Sequence, residues 1–341
     1  MNSKAPVVRA PVVDRLAFIL PWAQGSGDEQ KRLMPRIKRR LARAIAAHTC
    51  VRAYRKGGRY LENFDILLPG GATALIQIGA LQPAYQKGGI RVVLNPARCG
   101  PDGIRQLHLV MGGIVGRRYD ELMKQPLINN VDFAVDVEGV DLDQLLVGYK
   151  KARRFTTFGK RINSRGRIEG HSFGAVTSDY MAVAYDKRQE RIHAAINALV
   201  RAGGRGGTDR LVENAITRVK RARDQPPLMR IEVRGKKLRG LRLCKLVTLP
   251  NRFERFRFVY LGDQDSNLPA PVRLGFVSLC RDLGVKAALE TFKHTEHARA
   301  IHAYWRAGHV NWWQPEKLWL QGCEAVKEIG LFPDQAFEPA E

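Results

Sequence analysis

Leu127-Ile128-Asn129-Asn130-Val131-Asp132-Phe133-Ala134-Val135-Asp136-Val137 is the stretch whose reading decides the fold. From Val131 onward apolar residues alternate with Asp132, Ala134 and Asp136, so a period of two places both acids on one face and Val131, Phe133, Val135 and Val137 on the other. That is a strand with one buried face. Two carboxylates flanking a small residue leave space for a hard cation such as Mg²⁺ or Mn²⁺, which takes oxygen ligands. The competing reading is a solvated sheet face over a core.

The same kinds of element recur on either side. Upstream, Val12 to Leu20 reads as a strand, and Leu33, Ile37, Leu41 and Ile45 recur every four residues through a helix from about Glu29 to His48. Strands at Asn63 to Leu68, Ala74 to Ile78 and Ile90 to Leu94 follow, and Gly100-Pro101-Asp102 opens a helix to about Lys124. Downstream, the pattern predicts a helix from Asp141 to about Arg153, then strands near Arg167 to Phe173 and Tyr180 to Asp186. A helix from about Glu190 to Ala202, a basic helix to Arg223 and a strand at Met229 to Arg234 complete this half. The predicted class is α+β, with pseudo-duplicated antiparallel sheets and flanking helices. An N-terminal half over 1–125 and a catalytic half over 126–250 precede a helical C-terminal subdomain over 251–341, where Trp312 and Trp313 read as core at a helix junction.

The chain's 341 residues are 45% apolar and 26% charged, with a net charge of +24, which excludes disorder as the main state. No apolar run approaches the roughly 20 residues of a membrane span. Residues 1–11 lack a signal-like apolar core, and the five cysteines are widely spaced, so a cytoplasmic protein without a disulfide scaffold is expected. The positive excess favours a polyanion, above all nucleic acid. Lys150, Lys151, Arg153, Arg154, Lys160, Arg161, Arg165 and Arg167 lie in an acid-free tract with Phe155 and Phe158, and further basic tracts cover Lys31 to Arg43 and Arg230 to Lys245.

Phosphate-binding loops and histidine–hydrophobic–histidine strands are not found, and His294 and His297 lack a third ligand at recognised spacing. Two further stretches carry possible chemistry. In Tyr180-Met181-Ala182-Val183-Ala184-Tyr185-Asp186-Lys187-Arg188-Gln189-Glu190 a strand runs into a helix, with Tyr185 near the handover. A tyrosine there is either a packing residue or a nucleophile whose phenolate attacks phosphorus, with Lys187 and Arg188 supplying positive charge. In Met229-Arg230-Ile231-Glu232-Val233-Arg234 one acid stands between two arginines on one face, either completing a metal site or salt-bridged to its neighbours.

Taken in order, Asp132 and Asp136, then Gly174, Ser178, Asp179, Tyr185, Asp186, Lys187 and Glu190, then Arg230, Glu232 and Arg234 resemble the replication initiation factor family. That family comprises rolling-circle initiators of plasmids and filamentous phages and relaxases of some conjugative elements. The resemblance spans roughly residues 12 to 245, with Tyr-Asp-Lys-x-x-Glu its most specific part. It departs from the family where Asn130, Ala175, Val176 and Val183 stand in place of a basic residue or Ser-Arg.

The resemblance implies a relaxase-like fold and a metal-dependent DNA-nicking strand transferase that acts at an origin through a 5′-phosphotyrosyl intermediate. In it Tyr185 is the nucleophile and Lys187 helps to keep it ionised, while Asp132, Asp136 and Glu232 hold Mg²⁺ or Mn²⁺. The basic tract, with Arg188, Arg230 and Arg234, grips DNA. The implied partners are origin DNA, single-stranded or as a hairpin, a host helicase and a second copy of the chain, with no membrane. Three alternatives stay open: a relaxase of a conjugative or mobilisable element, a non-catalytic repressor or origin binder, and a basic RNA-binding protein. Nicking of a supercoiled plasmid separates the enzyme from a repressor, and preference for hairpin DNA over structured RNA counts against the last.

Overall fold

The computed structural model describes residues 5–21, 27–54, 58–82, 89–150, 158–162, 168–175, 177–203, 209–261 and 268–339. In chain order the strands are β1 (Val7–Val8), β2 (Val12–Pro21), β3 (Cys50–Arg52), β4 (Tyr60–Leu67), β5 (Thr73–Ala80), β6 (Gly89–Leu94), β7 (Leu127–Glu138), β8 (Leu145–Tyr149), β9 (Phe158–Ile162), β10 (Ile168–Phe173), β11 (Tyr180–Asp186), β12 (Leu228–Gly235), β13 (Leu241–Arg242) and β14 (Phe256–Tyr260). The helices are α1 (Gly27–Ala46), α2 (Pro96–Val115), α3 (Arg118–Met123), α4 (Lys187–Gly203), α5 (Asp209–Asp224), α6 (Ala270–Leu283), α7 (Val285–Phe292), α8 (Ala298–Ala307) and α9 (Pro315–Glu328). The chain is thus a mixture of helices and antiparallel sheet. It divides into two units, one of Pro11–Phe133, Arg234–Pro250 and Leu320–Glu341, the other of Met1–Ala10, Ala134–Val233 and Asn251–Trp319.

In the first unit the strands run β3-β4-β5-β6-β2. Every consecutive pair is antiparallel, with registers such as Phe64↔Ile76 and Ile76↔Val92. The alternation in β4 to β6 buries Phe64, Ile66, Ala74, Ile76, Ile78, Ile90, Val92 and Leu94. In β2, by contrast, Leu16 to Leu20 are all buried, as a strand covered on both faces requires. Phe18 meets Phe332 edge to face, with ring centroids 4.9 Å apart. Helix α1 buries Met34, Ile37 and Leu41, so of the expected stripe Ile37 and Leu41 are buried while Leu33 and Ile45 are half-buried. The helix expected to begin at Gly100 starts earlier: the Asn95 side chain caps it by accepting from the Arg98 N–H at 3.1 Å, and Gly100, at φ 60°, kinks it.

In the second unit the order is β9-β10-β11-β12-β7. Counted from the first strand of each sheet, both units therefore show the order 2-3-4-5-1. Helices α4 and α5 form a helical pair in contact. Residues 142–149 depart from the expected helix: a short 3₁₀ turn at Leu142–Gln144 leads into β8, which pairs antiparallel with β14 through Phe256↔Tyr149 to Tyr260↔Leu145. This ribbon contributes Leu146 and Val259 to a core whose further members Phe276, Cys280, Val285, Ala288, Ile301 and Tyr304 come from α6, α7 and α8. Trp313 is core as read, its indole N–H donating to the Phe253 carbonyl at 3.2 Å. The ribbon also explains Gly148, since a Cβ there would lie 2.8 Å from the Trp305 ring. Gly148→Ala is expected to lower stability by about 1–3 kcal/mol, as overpacking does, measurable by denaturant titration.

Candidate active site

The second unit's sheet presents two unlike faces. In β11, Ala182 and Ala184 are buried while Met181, Val183 and Tyr185 are half-buried; in β12, Met229, Ile231 and Val233 are buried while Arg230 and Arg234 reach partly to solvent. Tyr185, Arg230 and Glu232 thus line the more open face, as their parity predicts.

Local turn chemistry positions the tyrosine. Between β10 and β11, Gly174 adopts φ +96° and its missing Cβ would stand 2.9 Å from the Tyr180 carbonyl oxygen. The Ser178 hydroxyl donates within the same turn, to the Ala175 carbonyl at 2.8 Å. Register then sets Gly170 opposite Tyr185, and a Cβ on Gly170 would come within 3.1 Å of the Tyr185 Cβ. One residue beyond Tyr185, the Asp186 carboxylate accepts from the Gln189 N–H at 3.0 Å and so caps α4. Lys187 and Glu190 close the first helical turn with a 2.7 Å ion pair. Most of the Tyr-Asp-Lys-x-x-Glu signature is therefore the strand-to-helix joint that fixes where the phenol stands.

The phenolic hydroxyl donates to the Glu232 carboxylate at 2.6 Å, and Glu232 is only 3% exposed. Burial holds the Tyr185 phenol well above its usual range, and the adjacent Glu232 charge and hydrogen bond push the same way; Arg230 pulls it down. The phenol is thus protonated at neutral pH, with a carboxylate on its proton. Lys187 lies over the ring, its ammonium 5.7 Å from the centroid.

Asp136 lies on β7, whose end is held by β1 through Val7↔Glu138 and by the Arg9 N–H on the Asp136 carbonyl at 2.8 Å. Its carboxylate is gripped by Arg230, Nε on Oδ1 at 2.6 Å and Nη2 on Oδ2 at 2.8 Å. Asp132 lies four residues earlier on β7, is 7% exposed, and belongs to the first unit. The structure therefore brings Tyr185 to Glu232 and Asp136 to Arg230. Among the described residues no group of three or more His, Cys, Asp or Glu is arranged to hold a metal ion. With both Asp136 oxygens engaged by a guanidinium and one Glu232 oxygen engaged by the phenol, these two carboxylates as placed do not fit a divalent cation.

Of the expected DNA contacts, the Arg188 guanidinium reaches the Gln225 carbonyl at 3.5 Å, and the exposed Lys150 donates its backbone N–H to the Arg255 carbonyl at 2.6 Å. Lys151, Arg153, Arg154, Arg165 and Arg167 lie outside the described residues, and Lys160 and Arg161 are described only as backbone of β9. One contact was not anticipated: Arg252 stacks on the Tyr180 ring, 3.7 Å from its centroid. The basic run around Arg252 was the only trace of it in the sequence. Parity along β11 sends the side chains of Tyr180 and Tyr185 to opposite faces.

No protein-family model and no curated protein matches the chain. A structure search finds a rolling circle replication initiator protein from Geobacillus stearothermophilus, at 15% identity and a TM-score of 0.32, covering 82% of this chain and 98% of that one. No helix among the described residues is long and apolar enough to cross a membrane.

Proposed function

We propose that the chain is a DNA strand-nicking and rejoining enzyme of the rolling-circle initiator type, with Tyr185 as nucleophile and Glu232 as the acceptor of its proton. The observation that carries this is the 2.6 Å hydrogen bond from a half-buried phenol to a buried carboxylate, on a partly open sheet face lined with arginines. A tyrosine is a poor nucleophile while protonated, and a carboxylate within hydrogen-bond reach is the geometry general-base catalysis needs. As the phenolic oxygen bonds to a backbone phosphorus, its proton passes to Glu232 and the P–O3′ bond breaks. The products are a 5′-phosphotyrosyl chain and a free 3′ end whose oxygen takes a proton from water. The bond energy is kept, so reversal rejoins the strand without ATP.

The net charge of +24 supports DNA as the partner. We assign the tract from Lys150 to Arg167 to flanking single-stranded DNA, with Phe155 and Phe158 stacking on bases. Neutralising Lys160, Arg161, Arg165 and Arg167 together is expected to flatten the dependence of log affinity on log salt by about three, at about 0.7 per charge, measured by anisotropy on a single strand. The shared strand order of the two units is what a duplicated ancestor would leave. In the first sheet the polar row is Asn63, Gln77 and Arg91, linked by hydrogen bonds of 2.7 and 2.5 Å, which provides neither phenol nor carboxylate. We assign the chemistry to the second sheet, where a phenol and a carboxylate are hydrogen-bonded.

The test is a denaturing gel of the chain with an oligonucleotide from the replicon that encodes it. A covalent protein–DNA band supports the enzyme, whether initiator or relaxase. Retarded native complexes without a covalent band or plasmid relaxation would favour a repressor.

A further inference from the structure

The strand that carries Glu232 also carries a cation. Arg230 and Glu232 are two residues apart on β12 and share a face, about 7 Å along the strand. A hard divalent ion needs about six oxygen ligands, and Asp136 can give one only by breaking a bidentate, charge-assisted pair whose partners are 11% and 21% exposed. We propose that the Arg230 guanidinium, aimed by Asp136, takes the place a divalent cation would have and polarises the scissile phosphate. This rests on the tyrosine strand-transfer function proposed above. A planar guanidinium presents its N–H donors in a fork that matches phosphate oxygens. It also remains charged at every pH the fold meets, so it stabilises the pentavalent phosphorus without being recruited from solution. Arg230 already acts on the phenol, where its charge opposes the rise caused by burial and Glu232. Asp136 is then a positioning residue rather than a metal ligand.

Two measurements on the full chain decide this. The first is Mn²⁺ titration followed by electron paramagnetic resonance, which needs no turnover. The wild type is expected to bind no Mn²⁺ that Asp136→Asn removes, whereas Arg230→Ala, by releasing the carboxylate, gains such binding. A stoichiometric wild-type Mn²⁺ site lost in Asp136→Asn overturns the proposal. The second is cleavage of a hairpin oligonucleotide with and without EDTA. The wild-type rate is expected to be unchanged by chelation, Arg230→Ala to fall about 10²-fold or more, and Arg230→Lys to recover part of it. Asp136→Glu, which can keep the pair, is expected to retain more rate than Asp136→Asn at equal DNA affinity. Cleavage that stops in EDTA and returns with Mg²⁺ overturns the cation assignment and leaves the tyrosine function standing. Absence of a covalent adduct under all conditions removes the tyrosine function instead, and the Mn²⁺ titration still decides whether Arg230 or a metal holds Asp136.

Discussion

Tyr185→Phe is expected to abolish strand cleavage and the covalent adduct, a loss of at least about 10³-fold, while DNA affinity stays within about twofold of the wild type. The oxygen is the only heavy atom removed, and the hydroxyl donates to Glu232. The measurement is a denaturing gel for the adduct beside anisotropy for binding. Cleavage at the wild-type rate in the Phe variant would remove Tyr185 from the chemistry. A second effect separates role from fold. Losing the phenol leaves the buried Glu232 carboxylate without this donor, so stability is expected to drop by about 1–3 kcal/mol near neutral pH. The folded phenol is held above its unfolded value of about 10, so its stabilising contribution is complete below that pH and is lost as the pH rises through the folded value. The gap between wild type and Tyr185→Phe should therefore narrow in strong alkali, as thermal denaturation at stepped pH can show.

Glu232→Gln is the second large effect. The amide is nearly isosteric and keeps an oxygen to accept from Tyr185, so the fold should survive, but it cannot take the proton. Cleavage is expected to fall about 10²–10⁴-fold, the usual contribution of a positioned base, with little change in DNA affinity. The informative readout is the pH profile. With the base removed, residual activity should climb with hydroxide through the alkaline range, because the phenol must then ionise into solvent. A Gln variant with the wild-type rate and profile would reduce the 2.6 Å contact to a structural hydrogen bond.

Much of this site was legible in one dimension. The parity of Arg230, Glu232 and Arg234 in β12 put them on one face, and the Tyr-Asp-Lys-x-x-Glu run marked the joint where Tyr185 stands. Partner choice was not legible. Alternation says which face a carboxylate occupies but not whether its neighbour across the sheet is a cation, a phenol or a fellow acid. Asp136 was therefore read as a metal ligand, and the structure pairs it with Arg230. The roles of Asp186 and Glu190 were hidden for a different reason: an N-cap and an i,i+3 ion pair look the same in sequence as catalytic polar residues. The misread segment was Leu145–Tyr149. Its apolar run is too short to distinguish strand from helix, and its strand state depends on pairing with Phe256–Tyr260 more than a hundred residues later.

Tyr180 has a consequence for stoichiometry. With its ring under Arg252 and its side chain on the far side of β11, it cannot relieve Tyr185 once that residue is esterified. On the proposed function, each polypeptide therefore carries a single DNA end. A reaction that must open one junction and later cut a second, while the first end stays attached, needs either another molecule's phenol or an activated water. Mixing wild-type chains with Tyr185→Phe chains and counting closed circles would tell those two routes apart.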